Sequence, residues 1–296
     1  MIAKGERVRE TAATPEIRVL TPNDIPRLLL SEPHQLNDRA LRALVTAYPG
    51  RSVWAPETLE FVVMSPWRHR PEIAHALEVS AVRYRESLLT AAIGQCRAAD
   101  AAMVLLIEMD KIRKPSWYER VGLEPLEEVI TYELSRENAV MPRSTRLSVV
   151  AADARDPAVM AALVRLDHMA FPWLWWNSVA EFEAYRKTPG VQIYLARDQG
   201  QPIGYLGYTR YAGWGHIDRI AVAPGSQGRG LGRQLLAFAV DTLIQHGARR
   251  VALSTQRENR RSRRLYERAG FKRSPGFDYQ LYGVALRPPA PGLAVP

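Results

Sequence analysis

The chain has 296 residues, 47% of them hydrophobic, 24% charged and 8% aromatic, which suits a folded protein with room for two domains and excludes a disordered or fibrous chain. Its formal net charge of +9 is unevenly placed: residues 1–148 hold 20 Lys and Arg against 20 Asp and Glu, and residues 149–296 hold 20 against 11. Apolar runs such as Met103-Val104-Leu105-Leu106-Ile107 fall far short of the roughly 20 residues of a membrane-spanning helix, and the single cysteine, Cys96, excludes an internal disulfide or a cysteine-based zinc site.

The N-terminal Met1-Ile2-Ala3-Lys4-Gly5-Glu6-Arg7 mixes charges of both signs and leads into no apolar segment, so neither a signal peptide nor a transit sequence is read here and the cytoplasm is the expected location. The six histidines show no ligand spacing, and no metal is expected. Met103-Val104-Leu105-Leu106 reads as a short buried strand after an amphipathic helix. The segment that follows, Trp117-Tyr118-Glu119-Arg120-Val121-Gly122-Leu123, recurs 148 residues later as Leu265-Tyr266-Glu267-Arg268-Ala269-Gly270-Phe271. The same shift lays Met103–Leu106 on Val251-Ala252-Leu253-Ser254. A strand and a following helix in one register predict two copies of one fold. The first copy is placed at 1–140, the connection at 138–145 around Pro142, the second copy at 146–286, and a Pro-rich tail at 287–296.

In the second copy, the pattern predicts a strand at 146–152, then a helix at 157–170 ended by Pro172, a helix at 179–187, and a hairpin of strands 191–197 and 202–210 about the turn Asp198-Gln199-Gly200-Gln201. A strand at 216–222 runs through a glycine-rich turn into a helix at 230–246. A strand at 250–255, a helix through Tyr266, and two closing strands near Phe271 and at 279–286 are expected to finish a mixed α/β layer.

The turn Gln227-Gly228-Arg229-Gly230-Leu231-Gly232-Arg233 joins a buried strand to a helix start. Unpaired N–H groups and the positive dipole end suit a pyrophosphate there, with glycines keeping side chains out of the way and Arg229 and Arg233 adding charge. Nine arginines between 229 and 264 stand against only Asp241 and Glu258, so an anion is expected in this region.

The Gln-Gly-Arg-Gly-Leu-Gly segment, followed by Asn259-Arg260-Arg261-Ser262-Arg263-Arg264-Leu265-Tyr266, resembles the GNAT superfamily of acyl-CoA-dependent N-acyltransferases. The motifs cover 216–271, and the order of elements extends the resemblance to 146–286. It implies an α/β (α+β) fold of two tandem GNAT-like domains, each a mixed, mostly antiparallel sheet flanked by helices. Two-domain members of the family, mycothiol synthases among them, resemble the arrangement. It also implies acetyl-CoA or another short acyl-CoA as cofactor. The pantetheine arm would lie along Ile220-Ala221-Val222 as a pseudo-strand, the pyrophosphate on Gln227, Gly228, Arg229, Gly230, Leu231, Gly232 and Arg233, and Asn259 and Ser262 on the opposite side.

On that resemblance Tyr266 is the general acid, and a backbone N–H near Ala221 or Val222 stabilises the oxyanion. The strand 250–255 lacks the Glu that some relatives use as a base, which leaves His216 as the candidate, followed by Asp218 two residues on. Trp173, Trp175 and Trp176 in the Phe-Pro-Trp loop, with Trp214, are the candidate walls of the acceptor site. In the first copy, 79–85 stands opposite 227–233 without a glycine and Lys111 stands opposite Asn259, so that copy reads as degenerate, a wall of the cleft without a cofactor site of its own. The expected partner is a small-molecule or peptide amine, with no membrane or nucleic acid, and the chain is expected to act as a monomer or homodimer. Two other functions stay open: an acyl-CoA sensor without turnover, and a nucleic-acid-binding module built on the Arg-rich 257–264 segment.

Overall fold

The computed structural model describes residues 15–28, 36–109, 116–139 and 147–287. The predicted Lys111, most of the 138–145 connection, the N-terminal 1–14 and nearly all of the 287–296 tail lie outside them. The first half contains β1 (Arg18–Val19), α1 (Asp38–Ala47), β2 (Val53–Ala55), β3 (Glu60–Trp67), β4 (Arg70–Ser80), α2 (Arg85–Ala98), β5 (Met103–Glu108), α3 (Ser116–Arg120) and β6 (Glu124–Ser135). The second contains β7 (Ser148–Ala151), α4 (Pro157–Ala170), α5 (Val179–Lys187), β8 (Val191–Asp198), β9 (Gln201–Tyr211), β10 (Trp214–Val222), α6 (Leu231–Gln245), β11 (Arg250–Gln256), α7 (Arg260–Arg268), β12 (Lys272–Arg273) and β13 (Tyr279–Ala285).

Local chemistry sets the helix boundaries near the site. The Asp156 carboxylate accepts from the Ala158 N–H and Pro157 opens α4, where a missing N–H costs nothing. Ser178 caps α5 by accepting from the Glu181 N–H, and Asn259 caps α7 by accepting from the Ser262 N–H. Gly247 and Gly270, at φ 92° and 88°, follow α6 and α7 in the left-handed conformation that ends a helix.

The strands form one continuous sheet in the order β1-β2-β3-β4-β5-β13-β6-β11-β10-β9-β8-β7, with β12 also on β6. Every pairing is antiparallel except β4 with β5 and β10 with β11, each joined by a helical crossover through α2 or α6. The closing strands do not finish the second copy, as the linear order suggested. Instead β13 pairs with β5 and β6, β12 pairs with β6, and β6 runs beside β11 from Ser135↔Arg250 to Val129↔Gln256. The halves have exchanged their last long strands.

Burial explains the exchange. Ile130, Tyr132 and Leu134 of β6 pack into the second half's core with Leu235, Leu236, Val240 and Leu253, while Tyr282 of β13 joins the first half's core beside Leu88, Leu89 and Val104. Each half's core is therefore closed by a strand belonging to the other in sequence.

Candidate active site between splayed strands

β10 and β11 are paired only from Trp214↔Arg250 to Ile217↔Leu253. Beyond that, β10 follows β9 as far as Val222↔Gly204, with an irregularity between Ile217 and Arg219, and β11 follows β6 as far as Gln256↔Val129. A wedge opens between 218–222 and 254–256. The Ala223 N–H donates to the Ile203 carbonyl of the β9 side at 2.8 Å, so by strand alternation the Ala221 backbone also faces β9, whereas Ile220 and Val222 face the wedge. Of the two expected oxyanion donors, Val222 thus has the right orientation and Ala221 does not.

The wedge carries two adjoining cavities, of about 530 and 370 Å3, whose linings share Phe171, Ile220, Gln256, Asn259, Ser262 and Tyr266. The larger is lined by Val222, Gln227, Gly228, Gly230, Leu231, Gly232, Arg233, Arg261 and Leu265 as well. Gly228 and Gly230 have φ of 81° and 80°, and a Cβ on either would point into open space, so backbone conformation rather than crowding within the chain requires glycine there. Gly232 lies within α6, where a Cβ would come 3.5 Å from Leu265 Cδ2. No side chain caps the start of α6, so its first N–H groups and its positive dipole end face the cavity with Arg233. These features fit a diphosphate.

Two of the expected cofactor residues are placed elsewhere. Arg229 pairs with Asp198 at 2.9 Å on the surface and is absent from the lining, and Ala221 packs in the core with Phe182 and Tyr205. The arginine-rich stretch is also divided. Arg257 binds Glu128, Arg263 donates to the Arg257 carbonyl and Tyr132 Oη, and Arg261 meets Gln227 at the cavity. Part of the local positive charge therefore ties α7 to β6 rather than facing a ligand.

Tyr266 is 8% exposed and lines both cavities. Burial pushes its phenol up to about 12, tempered by a hydrogen bond with Ser262, so it keeps its proton throughout the neutral range. Its repeat counterpart Tyr118 is spent differently: it hydrogen-bonds Glu108 and stacks on Tyr282 with ring centroids 4.1 Å apart. His216 lines the smaller cavity, with Nδ1 2.7 Å from Asp218 Oδ1. Asp218 Oδ2 accepts from Tyr185 Oη at 2.5 Å and Thr209 Oγ1 at 2.7 Å. With the carboxylate accepting, Nδ1 carries the imidazole proton and Nε2 is left as an acceptor. His216 and Asp218 thus form one unit, not two alternatives.

Of the four tryptophans expected around the acceptor, Trp175 alone lines either of these two cavities; Phe171 and Pro172 of the same loop do so too. Trp173 lies under the Arg70 guanidinium, and Trp176 stacks on His168 at 4.2 Å. Trp214, at the far end of β10, stacks on Tyr211 at 4.2 Å and carries Arg250 over its ring. None of these three lines either cavity.

The first half supplies side chains that a linear reading could not place. The tip of the β3–β4 hairpin docks on the Phe-Pro-Trp loop: Trp67 Nε1 donates to the Leu174 carbonyl at 2.7 Å, Arg70 Nη1 to the Trp173 carbonyl at 2.5 Å, and Ser178 Oγ to the Arg68 carbonyl at 3.0 Å. Arg68 and Tyr279 line the smaller cavity, and Glu127 of β6 lines the larger. Glu127 accepts from Trp175 Nε1 at 2.5 Å, and burial raises its carboxyl above the usual range. Beneath the loop, the buried Asp167 accepts from Tyr205 Oη at 2.5 Å and from the Asn177 N–H at 2.7 Å, with Arg219 3.5 Å away. Arg219 in turn donates to the Trp175 carbonyl and to Asn177 Oδ1. Nothing in the local sequence around 67–70 or 127 signals these roles, because each depends on a contact more than 40 residues away in the chain.

The matching helix start of the first half is filled from within. Glu60 accepts from the N–H groups of Val82, Arg83 and Tyr84 at 3.1, 2.8 and 2.8 Å, and these bonds hold its carboxyl below the usual range against the cost of burial. A carboxylate of the chain takes the donors that an external anion would use.

Among the described residues no group of three or more His, Cys, Asp and Glu side chains is arranged to hold a metal, and no helix is long and apolar enough to cross a membrane. Residues 160–271 match the acetyltransferase (GNAT) family. Mycothiol acetyltransferase of Beutenbergia cavernae is 45% identical over 73 residues, 25% of this chain and 24% of that protein. Aminoalkylphosphonate N-acetyltransferase of Salmonella typhimurium is 34% identical over 99 residues, 31% of this chain and 64% of that protein. The match therefore spans less than two-thirds of either relative. An uncharacterized N-acetyltransferase of Bacillus subtilis, YhfO, is 31% identical over 101 residues, 32% of this chain and 68% of that protein. In fold, a tandem GNAT protein from the clavulanic acid biosynthesis pathway superposes with a TM-score of 0.58 at 15% identity, covering 93% of this chain and 99% of that one. The motifs, the splayed strands and these relatives lead to one conclusion: the chain belongs to the GNAT acetyltransferase family and has a tandem GNAT fold.

Proposed function

We propose that this chain is an acetyl-CoA-dependent N-acyltransferase that acts on a primary amine by direct attack in a ternary complex, with one acyl-CoA site, in the second half. The observation that carries this reading is the position of Tyr266, on the wall shared by a cavity over an uncapped glycine turn and a cavity that holds the His216–Asp218 pair. Gln227, Gly228, Gly230, Leu231, Gly232 and Arg233 would hold the diphosphate, and the β10 edge at Ile220 and Val222 would pair with the pantetheine amides once Gln227 Nε2, which donates to the Val222 carbonyl at 2.8 Å, gives way. Bound acetyl-CoA supplies an activated acyl group.

The chain's own residues do the rest. His216 accepts a proton at Nε2 from the acceptor's ammonium, directly or through one water, and Asp218 steadies the resulting imidazolium. The Val222 N–H donates to the oxygen on which negative charge develops. Tyr266, protonated at neutral pH, donates from Oη to the departing sulfur. Cys96 has no part: it is buried, and burial pushes its thiol up to about 11, which keeps the nucleophilic thiolate scarce. Glu60 supports the reading of the first half as a copy without a cofactor site, and the cytoplasm remains the proposed location.

The test is thiol release from acetyl-CoA across a panel of amines. Gly232 is a better position for blocking than Gly230, whose φ of 80° would strain any other residue whatever it bound. Wild type should turn over, Gly232→Phe should lose CoA binding, and Tyr266→Phe should bind CoA normally with kcat reduced about 100-fold or more. Equal rates in all three would remove the proposed site. CoA binding without transfer to any amine, and indifferent to Tyr266→Phe, would favour a sensor.

A further inference from the structure

The smaller cavity contains a cation whose hydrogen-bonding capacity is largely unused. Arg68 lines it from the first half, and among the described bonds its guanidinium makes one, from Nη1 to Asn177 Oδ1 at 2.6 Å. Its Nε is shut off from solvent and has no acceptor. The nearest carboxylate, Glu181, is 3.9 Å away and is engaged at its other oxygen by His69 at 2.7 Å. The neighbouring Arg219 is in a different position: it is met by Asp167, the Trp175 carbonyl and Asn177 Oδ1, and lies over the Phe171 ring. Arg68 lies against the Trp67 and Trp175 rings at 5.5 and 5.4 Å, but among the described bonds no carboxylate accepts a hydrogen bond from it.

The backbone holds Arg68 there at a cost. Trp67 and Arg70 pair across a two-residue loop in which Arg68 and His69 have φ of 51° and 53°. That is the mirror-image turn that normally takes Asn and Gly, and ordinary side chains are strained in it. The bonds from Trp67 and Arg70 to the opposing loop, and from Ser178 Oγ to the Arg68 carbonyl, hold the strained tip in place. Burial and the adjacent Arg219 bring the Arg68 guanidinium down to about 10, which still leaves it cationic at neutral pH.

We propose that Arg68 is the anion anchor of the acceptor site, so that the acceptor is a primary amine carrying an oxyanion group, a carboxylate, phosphonate or phosphate, at its other end. The guanidinium's charge and a terminal N–H suit such a group at the cavity, Nε being closed off from solvent. The amine end would then lie toward His216 and Tyr266, on the same cavity wall. The substrate class deepens the acyltransferase reading and rests on it, and it makes the first half a specificity element for the chemistry of the second.

The experiment uses the full chain saturated with CoA and titrated calorimetrically with 2-aminoethylphosphonate, β-alanine and ethanolamine, in wild type, Arg68→Asn and Arg68→Lys. Asn suits the left-handed turn, so that variant removes the guanidinium without removing the hairpin. Wild type should bind one of the two anionic amines at least tenfold more tightly than ethanolamine; which of the two it prefers identifies the oxyanion. Arg68→Asn should bring the preference to within about twofold while CoA affinity is unchanged, and Arg68→Lys should retain part of it. In thiol-release assays the loss should fall on KM for the anionic amine and leave kcat nearly intact. Equal binding of charged and neutral amines by wild type, or a preference that survives in Arg68→Asn, overturns the anchor. Failure of wild type to bind CoA overturns the acyltransferase reading itself.

Discussion

Residues 147–296 contain every motif of the family match, yet they should not fold alone. The strand that closes their core is β6, where Ile130, Tyr132 and Leu134 are 0%, 0% and 2% exposed against the second half's helices. Losing three such side chains removes about 4.5–9 kcal/mol at roughly 1.5–3 kcal/mol each, which is comparable with the roughly 5–15 kcal/mol total stability of a typical protein. The same cut strips β11 of its β6 partner from Arg250 to Gln256 and leaves that side an open edge prone to aggregation. Expression of 147–296 should give aggregated protein without CoA binding, and co-expression with 1–139 should restore a complex that binds CoA. Sedimentation and CoA titration are the assays. A monomeric 147–296 with the affinity of the full chain would refute the reasoning, because the exchanged strand would then contribute little.

Two further outcomes follow from the first half. Glu60→Gln should destabilise the protein by about 1–2 kcal/mol at pH 7 in urea unfolding, through weaker capping of Val82, Arg83 and Tyr84. Because the folded state lowers the Glu60 pKa, its contribution is present above the ordinary carboxylate range and is lost as pH falls through the folded value, so mutant and wild type should converge in acid. Cys96, buried with its thiol raised to about 11, should resist a maleimide at pH 7.5 in the native protein and label within minutes in denaturant; rapid native labelling would contradict the packing of α2.

Short-range chemistry was open to reading along the chain. Pro157 after Asp156, Ser178 before Val179 and the glycines of 228–232 act on neighbours a few residues away, and α4 and α5 occupy the spans expected at 157–170 and 179–187. The 148-residue repeat showed two copies of one fold for the same reason, since each copy carries its own strand and helix periodicity. The glycine turn was legible because its spacing is itself the requirement: a strand must run straight into an uncapped helix start. What folding alone decided is which surfaces meet. A strand's apolar alternation says that it must be covered but not by which half, so the exchange of β6 and β13 could not be foreseen, nor could Glu127 and Arg68, which reach the cleft only through it and through the docked hairpin. Three of the four tryptophans chosen for their rings, and Arg229 chosen for its charge, found nearer partners in space. A residue's type states what it can bind, and the packing of elements distant in sequence determines what it does bind.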